Sequence, residues 1–157
     1  MKNDKTNVMR ILDQKKVEYN YYTYEPDATL SGEEIAKILG EDTSKVFKTL
    51  VTRGKSGEYI VFVVPVNGEL NLKKAAKAAG EKAVAMIKQK ELLPLTGYVH
   101  GGCSPIGMKK VFKTFIHETA ADYEKIFVSA GKVGYQIELA LDDLRKIVRI
   151  ELADIIG

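Results

Sequence analysis

The sequence has few of the residues on which several enzyme classes depend. Its 157 residues include one cysteine, Cys103, and two histidines, His100 and His117. A single cysteine excludes an internal disulfide and a cysteine-rich metal site. The histidines lack the HExxH spacing of a zinc hydrolase, and no GxSxG elbow or evident base for Cys103 indicates a nucleophilic triad. We therefore expect chemistry without a metal or other cofactor.

Long apolar runs and a strong net charge are also absent. No apolar run approaches the roughly 18 residues that span a membrane, and residues 1–16 lack the apolar core of a signal peptide. We therefore expect a cytoplasmic protein that is not anchored in a membrane. Lys and Arg number 24 against 21 Asp and Glu, which gives a formal net charge of +3. This mild charge neither indicates nor excludes a nucleic-acid partner.

The length and composition predict one globular domain over residues 1–157. Hydrophobic residues make up 45% of the chain and charged residues 29%, as in ordinary globular proteins. The chain is long enough to bury a sizeable core and too short for two independent enzymatic domains.

Apolar periodicity and turn residues divide the chain into interspersed helices and strands. Helices are predicted at 6–16, 31–40, 71–79, 89–93 and 141–147, and strands at 17–24, 46–52, 59–64, 83–86, 110–116, 126–129, 135–139 and 148–152. The fourth helix is expected to end at Pro94, which cannot donate a backbone hydrogen bond. Several strands form hairpins and strict βαβ alternation fails. We predict the α+β class, with a mixed, largely antiparallel, barrel-like sheet and helices around it.

A lysine stands in the middle of an apolar strand, KVFKTLV at 45–51. Because side chains alternate between the two faces of a strand, Lys48 shares a face with Val46 and Leu50. Two interpretations stay open. Lys48 is either an edge-strand lysine that reaches solvent and deters aggregation, or a cation at the mouth of a pocket.

Two glycine-rich segments are the other candidates for a site. In GGCSPIG at 101–107, glycines can expose backbone N–H groups to a carbonyl oxygen or phosphate, or form an ordinary tight loop. Met108 stands where a phosphate-binding Walker A loop requires lysine, which disfavours nucleoside triphosphate hydrolysis. In SAGKVGYQ at 129–136, a hairpin places Ser129 and Gln136 on adjoining strand ends, where they either bind a substrate or face solvent.

Together these segments carry a family resemblance. VFKTL at 46–50, GGCSPIG at 101–107, SAGKVG at 129–134 and the helix LNLKKAAKAAG at 70–80 resemble the YbaK/EbsC family of aminoacyl-tRNA deacylases. That family includes the editing domain of bacterial prolyl-tRNA synthetases, and the resemblance covers essentially the whole chain. It implies the fold of that editing domain and hydrolysis of misacylated tRNA(Pro), with Cys-tRNA(Pro) as the substrate expected of a free-standing member. Prolyl-tRNA synthetase is the implied protein partner.

The resemblance also implies which residues form the site. Catalytic roles fall on Lys48, Gly101 and Gly102, and substrate-binding roles on Tyr24, Thr49, Ser129 and Gln136. In this interpretation Lys48 holds the terminal nucleotide of the tRNA, while the glycine-loop amides orient or polarise the ester carbonyl. Because the ester is already activated, a positioned water or the thiol of a cysteine substrate can attack it without a covalent enzyme intermediate.

Departures from the family pattern bear on amino-acid selectivity more than on the reaction class. Ala130 and Val133 replace the glycine and arginine often found in this turn, and Gln136 stands where related deacylases can carry aspartate. A different functional class also stays open, namely a non-catalytic regulatory module that binds tRNA ends or a protein. Such a module would retain affinity without turnover.

Overall fold

The structure, a computed structural model, describes residues 5–157. Within this range it contains five α-helices and eight β-strands. The helices are α1 (Asn7–Gln14), α2 (Gly32–Ile38), α3 (Leu72–Ala79), α4 (Gln89–Thr96) and α5 (Leu141–Ile147). The strands are β1 (Asn20–Thr23), β2 (Phe47–Gly54), β3 (Tyr59–Pro65), β4 (Val84–Met86), β5 (Lys113–His117), β6 (Ile126–Ser129), β7 (Tyr135–Leu139) and β8 (Ile150–Ala153).

The strands form two sheets. The larger has the order β4-β2-β3-β5-β8, in which β2 is antiparallel to β3 and β4, while the β3–β5 and β5–β8 pairs are parallel. The smaller has the order β1-β7-β6 and is antiparallel throughout. A parallel bridge between Val46 and Phe127 joins the two sheets. The predicted α+β class and mixed sheet are confirmed.

The barrel-like description is not confirmed. Over residues 5–157 the strands belong to two separate sheets, and no strand pairing closes them into a barrel. The reason is that Val46, which directly precedes β2, forms a single bridge with Phe127 of β6, and no full ladder joins the two strands. The two sheets therefore leave space between them beyond that bridge.

The core lies on both faces of β3, whose apolar run is nearly continuous. Val61 and Val63 belong to a cluster that includes α1 and the smaller sheet, while Phe62 packs on the other side with α3. The Phe62 and Phe115 rings stack with centroids 5.6 Å apart. Burial on both faces is typical of strands with parallel neighbours. It also makes β3 a rigid support for β2, which carries Lys48.

Local sequence signals explain how α2 begins and ends. The Ser31 hydroxyl accepts the Glu34 N–H at 3.1 Å, and the Glu34 carboxylate accepts the Ser31 N–H at 2.9 Å. This capping box satisfies two N–H groups at the helix start. Gly40 follows the helix with a φ of 71°, a left-handed conformation that glycine adopts readily. The predicted second helix is confirmed.

The prediction that Pro94 ends the fourth helix is wrong, because α4 continues to Thr96. The turn beyond the proline keeps its hydrogen bonds: Gly97 N–H donates to the Leu93 carbonyl at 2.8 Å, and the Thr96 hydroxyl donates to the Leu92 carbonyl. Three strands also begin two or three residues later than predicted, at residues 20, 113 and 150. No helix in the described part of the chain is long and apolar enough to cross a membrane.

Candidate functional site

A cavity of about 460 Å³ lies where the two sheets separate. Its walls come from β2, the β6–β7 hairpin, the first turn of α2 and the loop around residue 101. This volume falls in the range of small-molecule sites, roughly 300 to 1,000 Å³. The cavity is therefore large enough for a ligand and is built from segments far apart in the sequence.

Six of the seven residues assigned from the sequence line this cavity. They are Tyr24, Lys48, Thr49, Gly101, Ser129 and Gln136. Gly102 is not among the lining residues. The three motifs thus meet at one place, although the roles of their residues remain proposals.

Lys48 lies on a stretch of β2 that has a strand neighbour on one side only. It pairs with Val64 of β3, whereas β4 pairs with β2 only from Thr52 onward. Its ammonium has no ion-pair or hydrogen-bond partner within residues 5–157. Both sequence interpretations hold in part, because Lys48 lies at an unpaired strand edge and also in the cavity wall.

The charge of the cavity wall is unbalanced. Among the described residues, no aspartate or glutamate lines the cavity, and Lys48 is the one lysine or arginine that does. An ammonium without a counter-charge attracts anionic groups and carbonyl oxygens. The wall therefore suits a ligand with phosphate or ester oxygens and offers no carboxylate for general acid or base catalysis.

Two buried polar atoms in the wall lack a partner. Thr49 Oγ1 and Gln136 Oε1 are both buried without a hydrogen bond, and Gln136 as a whole is 4% exposed. A buried unsatisfied polar atom costs about 1 to 3 kcal/mol, and such atoms are rare in native proteins. We interpret them as groups that a bound ligand would satisfy.

Ser129 is held in position by the hairpin that carries it. It lies directly opposite Gln136 in the β6–β7 pair, so both side chains point to the same face of the sheet. The Ser129 hydroxyl oxygen accepts the Gly131 N–H at 3.1 Å. Because that oxygen is already an acceptor, its hydrogen can be donated to a ligand.

The two glycines of the loop have different environments. Gly101 lies in the cavity wall with a φ of 88°. Gly102 donates its N–H to the Val99 carbonyl at 3.0 Å, so that amide already has a partner. A Cβ at position 102 would lie 3.0 Å from the Val133 nitrogen and 3.3 Å from Lys132 Cα. Gly102 therefore allows the loop to pack directly on the hairpin backbone.

Tyr24 and Cys103 remain protonated in this wall at neutral pH. Tyr24 is fixed by its backbone N–H, which donates to the Gly134 carbonyl at 3.0 Å, and burial raises the pKa of its phenol. Burial also raises the pKa of the Cys103 thiol to about 12. Because the thiolate is the nucleophilic form, Cys103 is poorly suited to attack an ester.

The cavity includes several residues that sequence reasoning missed. They are Thr29, Leu30, Ser31, Gly32, Ile35, Val66, Leu92 and His100. The capping box predicted where α2 begins, but no signal placed that turn beside the glycine loop. Gly32 lets the start of α2 pack closely on Val66, which follows β3, since a Cβ there would lie 2.4 Å from Val66 Cγ1. Among residues 5–157 there is no group of three His, Cys, Asp or Glu side chains that could hold a metal ion.

Comparison with models of known protein families identifies the family of this chain. The model of the aminoacyl-tRNA editing domain family matches residues 25–147, a range that contains both glycine-rich segments and, of the six assigned residues in the cavity wall, all but Tyr24. The chain belongs to this family. The resemblance inferred from the three motifs is thus confirmed.

Relatives of this editing domain include free-standing proteins and parts of synthetases. A protein of Enterococcus faecalis, named as a candidate Cys-tRNA(Pro)/Cys-tRNA(Cys) deacylase, EbsC, is 48% identical over 96% of this chain and 93% of its own length. The proline–tRNA ligase of Thermosipho melanesiensis is 30% identical over 63% of this chain, which spans only 17% of that ligase.

A solved structure shares the fold of this editing domain. A candidate trans-editing enzyme for prolyl-tRNA synthetase superposes with a TM-score of 0.80, covering 96% of each chain at 21% identity. At this identity the likeness establishes the fold. It agrees with the two-sheet α+β architecture described above.

Proposed function

We propose that this protein is an aminoacyl-tRNA deacylase that clears Cys-tRNA(Pro) in trans. The observation that carries the proposal is one cavity in an editing domain that combines an unpartnered lysine, an accessible glycine loop and two unsatisfied polar atoms. The name of the Enterococcus relative supports the substrate class.

The need for such an enzyme follows from the limits of amino-acid discrimination. A difference of one methylene in an apolar pocket is worth only about 1 to 3 kcal/mol, so a synthetase that charges proline also admits amino acids of similar size. A second site that hydrolyses the wrong product then corrects the error. The similarity to part of a proline–tRNA ligase supports tRNA(Pro) as the source of the substrate.

In the proposed mechanism, Lys48 and Gly101 position the 3′ end of the tRNA. The Lys48 ammonium binds oxygens of the terminal nucleotide, and the Gly101 N–H, which has no hydrogen-bond partner among the described residues, donates to the ester carbonyl. Donors already in place where negative charge develops stabilise the transition state without reorganisation. Ser129, Thr49, Tyr24 and Gln136 would bind the amino acid, as their position in the same wall allows.

The attacking group in this mechanism comes from outside the protein. The cavity wall has no carboxylate among the described residues, and the Cys103 thiol stays protonated at neutral pH. Either a positioned water or the thiol of the cysteine substrate therefore attacks the ester carbon. Ala-tRNA(Pro), which lacks a thiol, separates the two routes, since only attack by water would hydrolyse it.

A deacylation panel tests the function directly. Purified protein is incubated with Cys-, Ala- and Pro-tRNA(Pro), and the loss of each aminoacyl ester is followed with time. We expect the fastest hydrolysis with Cys-tRNA(Pro). Binding of these tRNAs without any acceleration of hydrolysis would instead favour the alternative, a non-catalytic module that binds tRNA ends.

Replacing Cys103 with serine is expected to preserve most of the deacylation rate. Cys103 is 9% exposed and its raised pKa disfavours the thiolate, so we expect the residue to contribute packing in the cavity wall and not a nucleophilic sulfur. Single-turnover rates of wild type and Cys103→Ser with Cys-tRNA(Pro) provide the measurement. Mass spectrometry of the quenched reaction is the check, and an acyl group trapped on Cys103 would overturn this assignment.

The protein alone is expected to discriminate poorly between tRNA bodies. Its formal net charge is only +3, and a strong basic surface is what contact with many phosphates requires. Cys-tRNA(Pro) and Cys-tRNA(Cys) should therefore be hydrolysed at similar rates, with preference for tRNA(Pro) appearing only when prolyl-tRNA synthetase is added. A strong preference for tRNA(Pro) without synthetase would show that the protein reads the tRNA body itself.

A further inference from the structure

Glu41 is a partly buried carboxyl beside the cavity that has no part in the mechanism above. It directly follows Gly40 at the end of α2, and its N–H donates to the Ala36 carbonyl at 2.8 Å. Its side chain reaches the smaller sheet, where its carboxyl group contacts the Gln136 side chain. The carboxyl oxygen Oε1 is buried without a hydrogen-bond partner.

The surroundings of Glu41 contain a second carboxylate. Glu138 lies two residues beyond Gln136 on the same face of β7, and it accepts hydrogen bonds from Asn20 Nδ2 at 3.0 Å and Tyr22 OH at 2.8 Å. The titratable groups facing Glu41 are thus Glu138 of β7 and Tyr22 of β1. Glu138 Oε1 is thus bound by two donors of β1, whereas Glu41 is the carboxyl that contacts Gln136.

The nitrogen and the oxygen of the Gln136 side-chain amide differ in their surroundings. The amide nitrogen can donate to the Glu41 carboxylate, whereas Oε1 is buried and has no hydrogen-bond partner among the described residues. Gln136 itself lines the cavity beside Ser129. An ionised Glu41 therefore favours the amide orientation in which the oxygen is left for a ligand.

We propose that Glu41 is a positioning residue that orients the Gln136 amide, so that Gln136 Oε1 accepts a hydrogen bond from the α-ammonium group of the bound aminoacyl ester. This inference rests on the proposed function of the cavity. An ammonium group is the only strong donor that every aminoacyl end carries, and an amide oxygen without a protein partner is a suitable acceptor for it.

The proposal has a pH dependence with a definite sign. Burial, against the opposing effect of the Gln136 side chain and with a smaller contribution from the charge of Glu138, raises the pKa of Glu41 to about 7. Above that pH the carboxylate accepts from the amide nitrogen. Below it the protonated carboxyl donates its O–H, so the amide turns its oxygen toward Glu41 and its NH₂ group toward the ligand. Binding of an ammonium group weakens as the pH falls.

The first measurement is the affinity for a non-hydrolysable probe, cysteinyl-adenosine with an amide in place of the ester. Relative to the Glu41→Gln variant, we expect its affinity for the wild type to fall about tenfold between about pH 8 and about pH 6, the size expected for one hydrogen bond to a charged group. The Glu41→Gln variant has no ionisation there, so the fall should be much smaller. Titration of the probe's own amine is common to both proteins and cancels in the comparison.

The second measurement does not depend on any activity. In protein labelled with ¹⁵N-glutamine, the side-chain NH₂ resonances of Gln136 should titrate with a midpoint near neutral pH in the wild type and not in Glu41→Gln. Glu138→Gln is the matched control: it should keep the titration, with its midpoint moved to lower pH because a charge that raises the Glu41 pKa has been removed.

The outcomes separate this inference from the proposed function. A wild-type Gln136 amide that does not titrate near neutral pH, or a Glu41→Gln variant that keeps the wild-type pH dependence of probe binding, would overturn the role of Glu41. Absence of deacylation together with a titrating amide and pH-dependent probe binding would instead overturn only the catalytic function. If Glu41→Gln fails to fold, the wild-type and Glu138→Gln titrations still decide the question.

Discussion

Replacing Lys48 with alanine should abolish measurable deacylation while the protein remains folded. Because Lys48 holds the terminal nucleotide in the proposed mechanism, its loss would misplace the ester, and a misplacement of about 1 Å can lower the rate by about 100-fold. The fold should survive because the Lys48 ammonium forms no ion pair or hydrogen bond within residues 5–157. The backbone pairing of Lys48 with Val64 does not depend on the side chain.

Lys45 provides a matched control for this experiment. It lies three residues before Lys48, and its ammonium stands 5.6 Å from the centre of the Tyr123 ring, outside the cavity wall. Lys45→Ala should lose about 0.5 to 1 kcal/mol of stability and keep the wild-type rate. Circular dichroism and single-turnover hydrolysis of Cys-tRNA(Pro) are measured for both variants. Wild-type turnover by Lys48→Ala would refute the positioning role.

Replacing Gly101 with alanine should cause the second large loss of activity. At a φ of 88° an L-residue is strained, so alanine would favour a different backbone conformation. A Cβ would meet only ordinary contacts, the nearest being Val133 Cγ2 at 3.5 Å, so the effect arises from the backbone and not from a clash. Because the proposed donor is the Gly101 N–H, a change in its direction should lower the rate by about 100-fold or more.

Gly80 provides the control, because it has a similar left-handed backbone conformation but lies outside the cavity wall. It ends α3 with a φ of 72°, and a Cβ there would meet nothing within 4 Å. Gly80→Ala and Gly101→Ala should each lower the free energy of unfolding by about 1 kcal/mol. Only Gly101→Ala should lose deacylation, measured with Cys-tRNA(Pro) at a temperature where both variants are folded. Equal activity in the two variants would remove Gly101 from the mechanism.

Local signals in the sequence were sufficient for much of the fold. The capping box from Ser31 to Glu34, the hairpin between β2 and β3, and the glycine that ends α3 all appear where the sequence predicts them. Each depends on interactions between residues close in the chain. Pro94 is the counterexample, because hydrogen bonds of the following turn keep the helix intact beyond it.

By itself the sequence determined most of the secondary structure, the α+β class and three motifs of an editing domain, because each depends on local spacing and residue type. Only the tertiary structure decided how these meet. Strand pairing brings Ser129 opposite Gln136, and packing of separate sheets places both near Lys48. The tertiary structure also decided that the Gly102 N–H donates to the Val99 carbonyl and that Glu41 contacts Gln136. Burial, register and hydrogen-bond partners arise from contacts between distant segments, and no local pattern in the chain encodes them.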